Sequence, residues 1–368
     1  MKFIHTADWQ VGMRAQSAGG AGSRVRDERL LAARRAVDAA ASHAAEFIIL
    51  AGDVFEDNAV DRLLVQKVAD ILAGFGGPVF IIPGNHDPLM PGSVWEHPAW
   101  RSSANVRVLR DEQPVDVPGG VAFPCPVREK HSGRIPTAWI HPERDGKVRL
   151  GIAHGTVEGV QIDEPDYPIP RDAAQQAALD YLALGHWHSH AQYPGPDGAA
   201  RMAYSGTHEP TRFGERDSGS VLLVEIAGAG AAPAIAPVRT GCLTWCTLEE
   251  ELRAEGDLAR LRRKVEEMER PADTLIEVRI SGVLAAAERG ELDHLGQIIA
   301  SRFLTGRLDV SQLRPSPADD SWLGGLPPGI VREAATRLRE APAATGTAPE
   351  AATRALTELY AIAQEVRQ

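Results

Sequence analysis

The chain has 368 residues, a net charge of -11, 43% apolar residues and a mean hydropathy of -0.20. Such values describe a soluble protein with enough apolar content for a core, long enough for more than one domain. They exclude a surface that wraps nucleic acid by bulk positive charge, though not nucleic acid as a substrate. No apolar segment approaches the roughly 20 residues of a membrane span, and the N-terminus carries no evident signal peptide. The cysteines (Cys125, Cys242, Cys246) are too few for a disulfide framework. A cytoplasmic protein without a membrane partner is therefore expected.

In chain order, the apolar run Lys2–Ala7 predicts a buried strand ending at Asp8. A Gly/Ser/Ala-rich loop, Gly12 to Ser23, precedes a helix over Arg26–Ala45 with Leu30, Val37 and Ala41 on one face. The run Glu46–Gly52 ends at Asp53, a helix follows over Asp61–Leu72, and the run Pro78–Gly84 ends at Asn85-His86-Asp87. This βαβαβ order favours a parallel sheet. Further strands are expected at Val106–Leu109, Gly120–Pro124, Val148–Ala153, Tyr181–Leu184, Met202–Tyr204 and Ser220–Ile226. So many strands ordinarily split into two packed layers.

Gly228–Pro237 reads as a linker. Thr247 and Glu250 form a capping box before a charged helix to Arg270. A strand over Thr274–Leu284, a helix over Glu291–Phe303 and a strand over Arg307–Leu313 complete a small α+β cap. After the Pro/Gly/Asp-rich stretch Pro315–Pro328, helices are expected over Ile330–Glu340 and Glu350–Val366, joined by Ala341–Pro349. The last helix sets Ala352, Leu356, Leu359, Tyr360 and Ala363 on one face, to dock on the chain's own body or on a partner.

Several runs thus end in a group that binds metal or phosphate. In open α/β sheets such groups work just beyond the carboxyl ends of the strands. A lone Asp there is at least as often a helix N-cap, but Asp8 and Asp53 come with other donors. Asn85 offers a neutral amide oxygen, and His86 can protonate a leaving oxygen or bond a phosphoryl oxygen. His154 ends the Val148–Ala153 strand, and His186 and His188, two apart in extended chain, can address one site together. Oxygen and imidazole donors in this order describe a site for two divalent metals that hydrolyses a phosphate ester. His190 reads as solvent-facing, and Cys242 with Cys246 as ordinary packing residues.

The order Asp8, Asp53, Asn85-His86, His154, His186-x-His188 resembles the calcineurin-like metallophosphoesterase family over roughly residues 1–226. The resemblance implies two divalent ions, manganese foremost, with iron, zinc or magnesium as alternatives. It assigns Asp8, position 10, Asp53 and His188 to the first ion and Asp53, Asn85, His154 and His186 to the second, with His86 assisting the leaving group. A narrower resemblance, to SbcD-type DNA repair nucleases and YhaO-like proteins, rests on His5-Thr6-Ala7-Asp8-Trp9, Tyr204-Ser205-Gly206-Thr207 and Phe213-Gly214-Glu215. It implies a DNA substrate, a cap that positions it, a helical tail docking on an SbcC-type coiled-coil ATPase, and a homodimer by analogy. The expected fold is α/β: a two-layer β-sandwich flanked by helices (α/β/β/α) over 1–237, an α+β cap over 238–314, and a linker and helical tail over 315–368.

Position 10 departs from the nuclease pattern, which has His where this chain has Gln10. Gln10 ligates through its carbonyl oxygen, holds a ligating water, or leaves the first ion loosely bound. Arg14, Arg24, Arg26 and Arg29 flank the loop after Asp8, either contacting phosphates or forming a solvated loop. Trp9, Trp187 and Phe213 are candidates for base stacking, with core packing the competing role. The expected function is a metal-dependent DNA nuclease in repair. The alternatives are a nucleotide or small-molecule phosphodiesterase and a non-catalytic DNA or ATPase scaffold weakened by Gln10.

Overall fold

The computed structural model describes residues 1–141, 143, 145–160, 166–254, 256–316, 321–340 and 348–365. In order, the first unit, Met1–Thr244, contains β1 (Lys2–Thr6), α1 (Gly22–Ser42), β2 (Phe47–Ala51), α2 (Arg62–Ala73), β3 (Val79–Ile82), α3 (Ala99–Ser102), β4 (Val106–Val108), β5 (Val115–Val117) and β6 (Gly120–Pro124). It continues with β7 (Val148–His154), α4 (Ala173–Gln176), β8 (Tyr181–Gly185), β9 (Ala191–Pro194), β10 (Ala200–Tyr204), β11 (Ser220–Glu225) and β12 (Ala234–Arg239).

These strands form two six-stranded sheets, ordered β12-β11-β1-β2-β3-β4 and β5-β6-β7-β8-β10-β9. The strands β1 to β4 are mutually parallel, as are β6, β7 and β8, so their carboxyl ends share one edge of each sheet. Side-chain alternation explains the layering. Phe3, Phe47, Ile49, Phe80 and Ile82 pack inward against Leu150, Ile152, Tyr181 and Ala183 of the facing sheet. The intervening Ile4, Ile48, Leu50, Val79 and Ile81 pack outward against Ala36, Ala40, Val68 and Leu72 of α1 and α2. On the far side, Leu182, Leu184 and Tyr204 meet Ala173, Ala174 and Ala177 around the short α4. The architecture is the expected α/β/β/α sandwich. Each fully buried Ile, Leu or Phe contributes roughly 1.5–3 kcal/mol.

Several local expectations are corrected. The helix α1 begins at Gly22, after a 3-10 turn over Gln16–Ala21 inside the expected loop. Its buried face runs through Val25, Ala32, Ala33, Ala36, Val37 and Ala40, while Ala41 is exposed. The expected linker Gly228–Pro237 contains most of β12, which pairs antiparallel with β11 at the sheet edge. Pro237 is tolerated there because an edge strand has a side that needs no N–H donor.

The second unit, Trp245–Gln368, opens within β13 (Thr244–Leu252). The capping-box reading of Thr247 and Glu250 fails: both lie in β13, and the helix is shorter, α5 (Asp257–Glu266). The unit continues with β14 (Thr274–Leu284), α6 (Arg289–Arg302), β15 (Thr305–Pro315), α7 (Ser321–Gly324), α8 (Ile330–Glu340) and α9 (Ala348–Glu365). Its sheet runs β13-β14-β15. Residues 341–347 of the expected tail connection and Val366 lie outside the described residues. Leu356, Leu359, Tyr360 and Ala363 of α9 pack on Trp322, Leu323, Leu326 and Ala335, with the Trp322 and Tyr360 rings 5.1 Å apart. The apolar face read from sequence is thus covered within the chain.

His5 crosses between the sheets. Its Nε2–H donates to the Leu184 carbonyl at 3.1 Å, which leaves Nδ1 to accept from the Tyr181 hydroxyl at 2.9 Å. Complete burial holds this imidazole down to about 3 from an ordinary 6.5. The lowered value means the unfolded chain takes up the proton first as pH falls, so stability drops from about pH 6.5 downward. At pH 4.5 His5 alone should cost about 2–3 kcal/mol relative to pH 7. Chemical denaturation of wild type and His5→Gln at both pH values checks this. The variant should lose less stability on acidification, and equal losses would refute the assignment.

Candidate metal centre

The loops beyond β1, β2, β3, β7 and β8 carry the predicted site residues. Their backbones are bent to bring the side chains inward. Asp8, Gln10, Asp53 and His186 have φ of 54°, 46°, 52° and 107°. Non-glycine residues there cost about 1–3 kcal/mol each and persist where surrounding structure imposes them. Main-chain bonds impose these: Asp8 N–H donates to the Gly52 carbonyl at 3.1 Å and Gln10 N–H to the Asp53 carbonyl at 3.0 Å. Two glycines make room. A Cβ on Gly84 would lie 2.2 Å from Asp53 Oδ1, and one on Gly52, at φ 93°, 2.3 Å from His154 Nδ1.

At the centre, single ligand atoms of Asp53, His154 and His186 all lie within 4.8 Å of one another. Asn85 Oδ1 lies 2.8 Å from His154 Nε2 and 3.1 Å from His186 Nδ1. Asp53 Oδ1 is 3.4 Å from the same His154 Nε2 and accepts the His86 N–H at 2.8 Å. His154 Nδ1 must donate to the Ala51 carbonyl at 2.9 Å, so Nε2 is the nitrogen turned toward Asp53 and Asn85. His186 Nε2 is buried with no hydrogen-bond partner. Buried acceptors converging in this way fit a divalent cation, which satisfies them together.

Asp8, fully buried, takes the His186 N–H on both oxygens at 2.9 and 3.1 Å. His188 Nδ1 donates to Glu215 Oε1 at 3.1 Å, turning Nε2 the other way. Glu215 is fixed by the Thr211 N–H at 2.9 Å and the Thr211 hydroxyl. Gln10 does not point its carbonyl at Asp53; its amide N–H donates to Asp53 Oδ2 at 3.0 Å. His86 Nδ1 donates to the Glu56 carbonyl at 2.9 Å, leaving Nε2 for a substrate.

The electrostatics of the site are set by burial and by the close approach of its carboxylates and imidazoles. Burial raises the Asp8 carboxyl to about 6, against the pull of His154 and His188. Burial also raises Asp53, but His154 and His86 outweigh it and hold that carboxyl below its usual range. Burial lowers His154, yet the adjoining Asp53, with Asp8, lifts it to about 9. His186 falls to about 3 through burial and then the neighbouring His154, and stays a neutral donor. Asp87, raised to about 7 by burial and by Asp53, clasps the Gly84 and Phe55 N–H groups at 2.7 and 2.9 Å.

The flanking candidates divide. Arg29 is buried and donates to the Trp9 carbonyl at 2.8 Å and the Glu209 carbonyl at 2.9 Å, so it braces the Asp8 loop. Arg14 and Arg26 are exposed, with Arg26 donating to the Arg14 carbonyl at 3.3 Å; Arg24 pairs with Glu28 at 2.9 Å. Trp9 is a core residue, 1% exposed, bonded to Thr6 and packed on the His208 ring. Trp187 packs on the outer core of the second sheet. The sequence reading missed the supports: the Glu56 and Ala51 carbonyls, Thr211, buried His208 and Glu209. Main-chain acceptors leave no mark in a sequence. Glu215 lay inside the quoted Phe213-Gly214-Glu215 string, without its role.

Residues 1–190, more than half of the chain, match the calcineurin-like phosphoesterase family, and the chain belongs to it. Membership implies phosphoester hydrolase activity and the use of divalent metal ions. The chain is similar to the metallophosphoesterase YhaO of Bacillus subtilis (strain 168), 27% identical over 178 residues. That match covers 45% of this chain and 42% of YhaO, less than half of the relative's length. Among solved structures, it is similar to TT1561 of Thermus thermophilus, with a TM-score of 0.42 at 13% identity, covering 65% of this chain and 98% of that one.

Glu215 touches no other candidate ligand except through His188. Replacing it by Gln should weaken manganese binding about 10–100-fold, the usual loss when a ligand's orienting partner is changed. Equilibrium dialysis checks this alongside thermal unfolding. Unchanged affinity in a folded variant would remove His188 from the site.

Proposed function

We propose that this chain is a metal-dependent DNA nuclease, an exonuclease with some endonuclease action that hydrolyses phosphodiesters in repair. Manganese is the proposed ion, with iron, zinc and magnesium as alternatives. The observation that carries the hydrolytic part is the meeting of Asp53, Asn85, His154 and His186 at one point. The DNA part is supported by the likeness of three segments to repair nucleases and by what those segments do here. His5 bonds across the sheets, and Glu215 orients His188. The Tyr204 hydroxyl donates to the Gly155 carbonyl at 2.6 Å and accepts the Val157 N–H at 2.8 Å, fixing the turn after His154.

Bound divalent ions would supply Lewis-acid stabilisation of charge on the phosphoryl oxygens and a lowered pKa for water. Asp8, Asp53, Asn85, His154, His186 and His188 are the proposed holders. Gln10 serves in this reading as a brace on Asp53, because its amide N–H occupies one carboxylate oxygen. The Glu56 carbonyl holds the His86 Nδ1–H, so Nε2 is the nitrogen turned to the substrate; in the imidazolium form its N–H donates to a phosphoryl oxygen or passes its proton to the leaving oxygen. The proposed partner is an SbcC-type ATPase. Since the inner face of α9 is spent within the chain, docking would use outward residues such as Ile330 (85% exposed) and Ile362.

A small-molecule or nucleotide phosphodiesterase is the second reading, favoured by the net charge of -11. Turnover of single-stranded and gapped DNA, bis-p-nitrophenyl phosphate and free nucleotides separates it from the nuclease. A non-catalytic scaffold, motivated by Gln10, is the third. His86→Ala should lower manganese-dependent kcat about 10²–10⁴-fold while metal binding persists. Activity indifferent to this change would favour the scaffold and overturn the catalytic role of His86.

A further inference from the structure

A cleft of about 670 Å³ lies between the segment after β6 and the segment after β7, its wall beginning at Thr156, two residues beyond His154. Both segments border the site already described. The first is stitched to the Asn85-His86 loop by Val127 N–H on the Pro83 carbonyl at 3.2 Å and Leu89 N–H on the Val127 carbonyl at 2.8 Å. The second continues directly from His154 into Thr156 and Val157.

A buried carboxylate with no part in the metal centre organises this cleft. Asp166 is 6% exposed and accepts from His131 Nδ1 at 2.9 Å, from the Ser132 N–H at 2.6 Å and from the Tyr167 N–H at 3.2 Å. Its own N–H donates to Thr156 Oγ1 at 3.0 Å. The two segments are also tied without His131, through Tyr167 N–H on the Ser132 carbonyl at 2.9 Å and Ile169 N–H on the Thr156 carbonyl at 2.8 Å. The imidazole is therefore not needed as a staple. Its side chain is 60% exposed yet held in one orientation, with Nε2 free of the Asp166 contact.

The lining selects the ligand. Among the described residues that line it there is no Lys or Arg, the neighbouring Arg171 guanidinium being bonded to the Glu158 carbonyl at 2.8 Å, and Glu158 and Asp166 add negative character, so it disfavours a second phosphate. Val157, Val160 and Pro168 give an aliphatic wall, Ser132 and Thr156 hydroxyls, and His131 a flat ring. The volume lies in the range of small-ligand sites, roughly 300–1,000 Å³. A heterocycle with an attached sugar, uncharged and able to stack and hydrogen-bond, matches these walls.

We propose that this cleft is a nucleoside subsite, which takes the base and sugar esterified to the scissile phosphate, with His131 as a specificity-determining residue positioned by Asp166. The inference rests on the phosphodiesterase reading above and deepens it.

The test uses the full chain with manganese, and compares wild type with His131→Ala and Asp166→Asn. Substrates are the p-nitrophenyl ester of thymidine monophosphate and bis-p-nitrophenyl phosphate, which has no nucleoside. His131→Ala should lose about tenfold in kcat/KM on the thymidine ester, carried in KM, and less than about twofold on the nucleoside-free diester. Asp166→Asn should lose in the same direction by less. Equal losses on both substrates, or none on either, would overturn the subsite. Saturation-transfer NMR with free thymidine needs no turnover. Transfer to the base protons should be seen with wild type and lost with His131→Ala. If neither ester is hydrolysed, the hydrolase reading fails, and the NMR result still decides the subsite. Absent transfer with wild type, or transfer unchanged in the variant, would overturn it.

Discussion

The structure turns on one electrostatic constraint: Asp53 is a buried carboxylate that takes N–H groups of Gln10 and His86 and shares its pocket with the Asn85 amide oxygen and the His154 and His186 imidazoles. Desolvating a carboxylate is costly, and surrounding it with an amide oxygen and imidazole nitrogens adds to the cost unless a cation completes the set. The left-handed backbone at Asp8, Gln10, Asp53 and His186 is strain accepted to maintain the arrangement. The sandwich supplies the counterweight, since the strands feeding these loops are buried nearly throughout.

Support radiates outward from that centre in hydrogen-bonded layers. Carbonyls of Ala51 and Glu56 set the tautomers of His154 and His86, and Glu215 sets that of His188. Behind them, Arg29 binds the Trp9 and Glu209 carbonyls, and Glu209 accepts the N–H groups of Cys242 and Leu243 at 2.8 Å each. The metal loop is thereby tied, through buried polar contacts, to the end of the first unit. Such networks are worth most when every member is satisfied.

Much of this was legible in the sequence, for a simple reason. An apolar strand that stops at Asp, Asn or His advertises both its burial and its end group, and Asp8, Asp53, Asn85, His154 and His186 became site candidates that way; the structure brings single ligand atoms of Asp53, His154 and His186 within 4.8 Å of one another. The failures share another cause. β12 carries Pro237 and small residues, so it looks like a linker until β11 is there to pair with it. β13 was read as a capped helix because Thr247 and Glu250 suit a helix start; pairing in the sheet, invisible locally, decides otherwise. Arg29 looked like a phosphate contact because its sequence neighbours are exposed arginines. Helical phase alone puts it on the buried side. Gln10 was the open position, and the direction of its amide toward Asp53 is a tertiary fact.

The account predicts a particular occupant at a particular place. Crystals grown with manganese and measured at its absorption edge read that directly. Anomalous peaks should appear between Asp53, Asn85, His154 and His186, and beside Asp8 and His188, with His154 Nε2 turned onto an ion. A map without peaks there, with that nitrogen still on Asn85 Oδ1, would contradict the claim that these side chains exist to hold a metal.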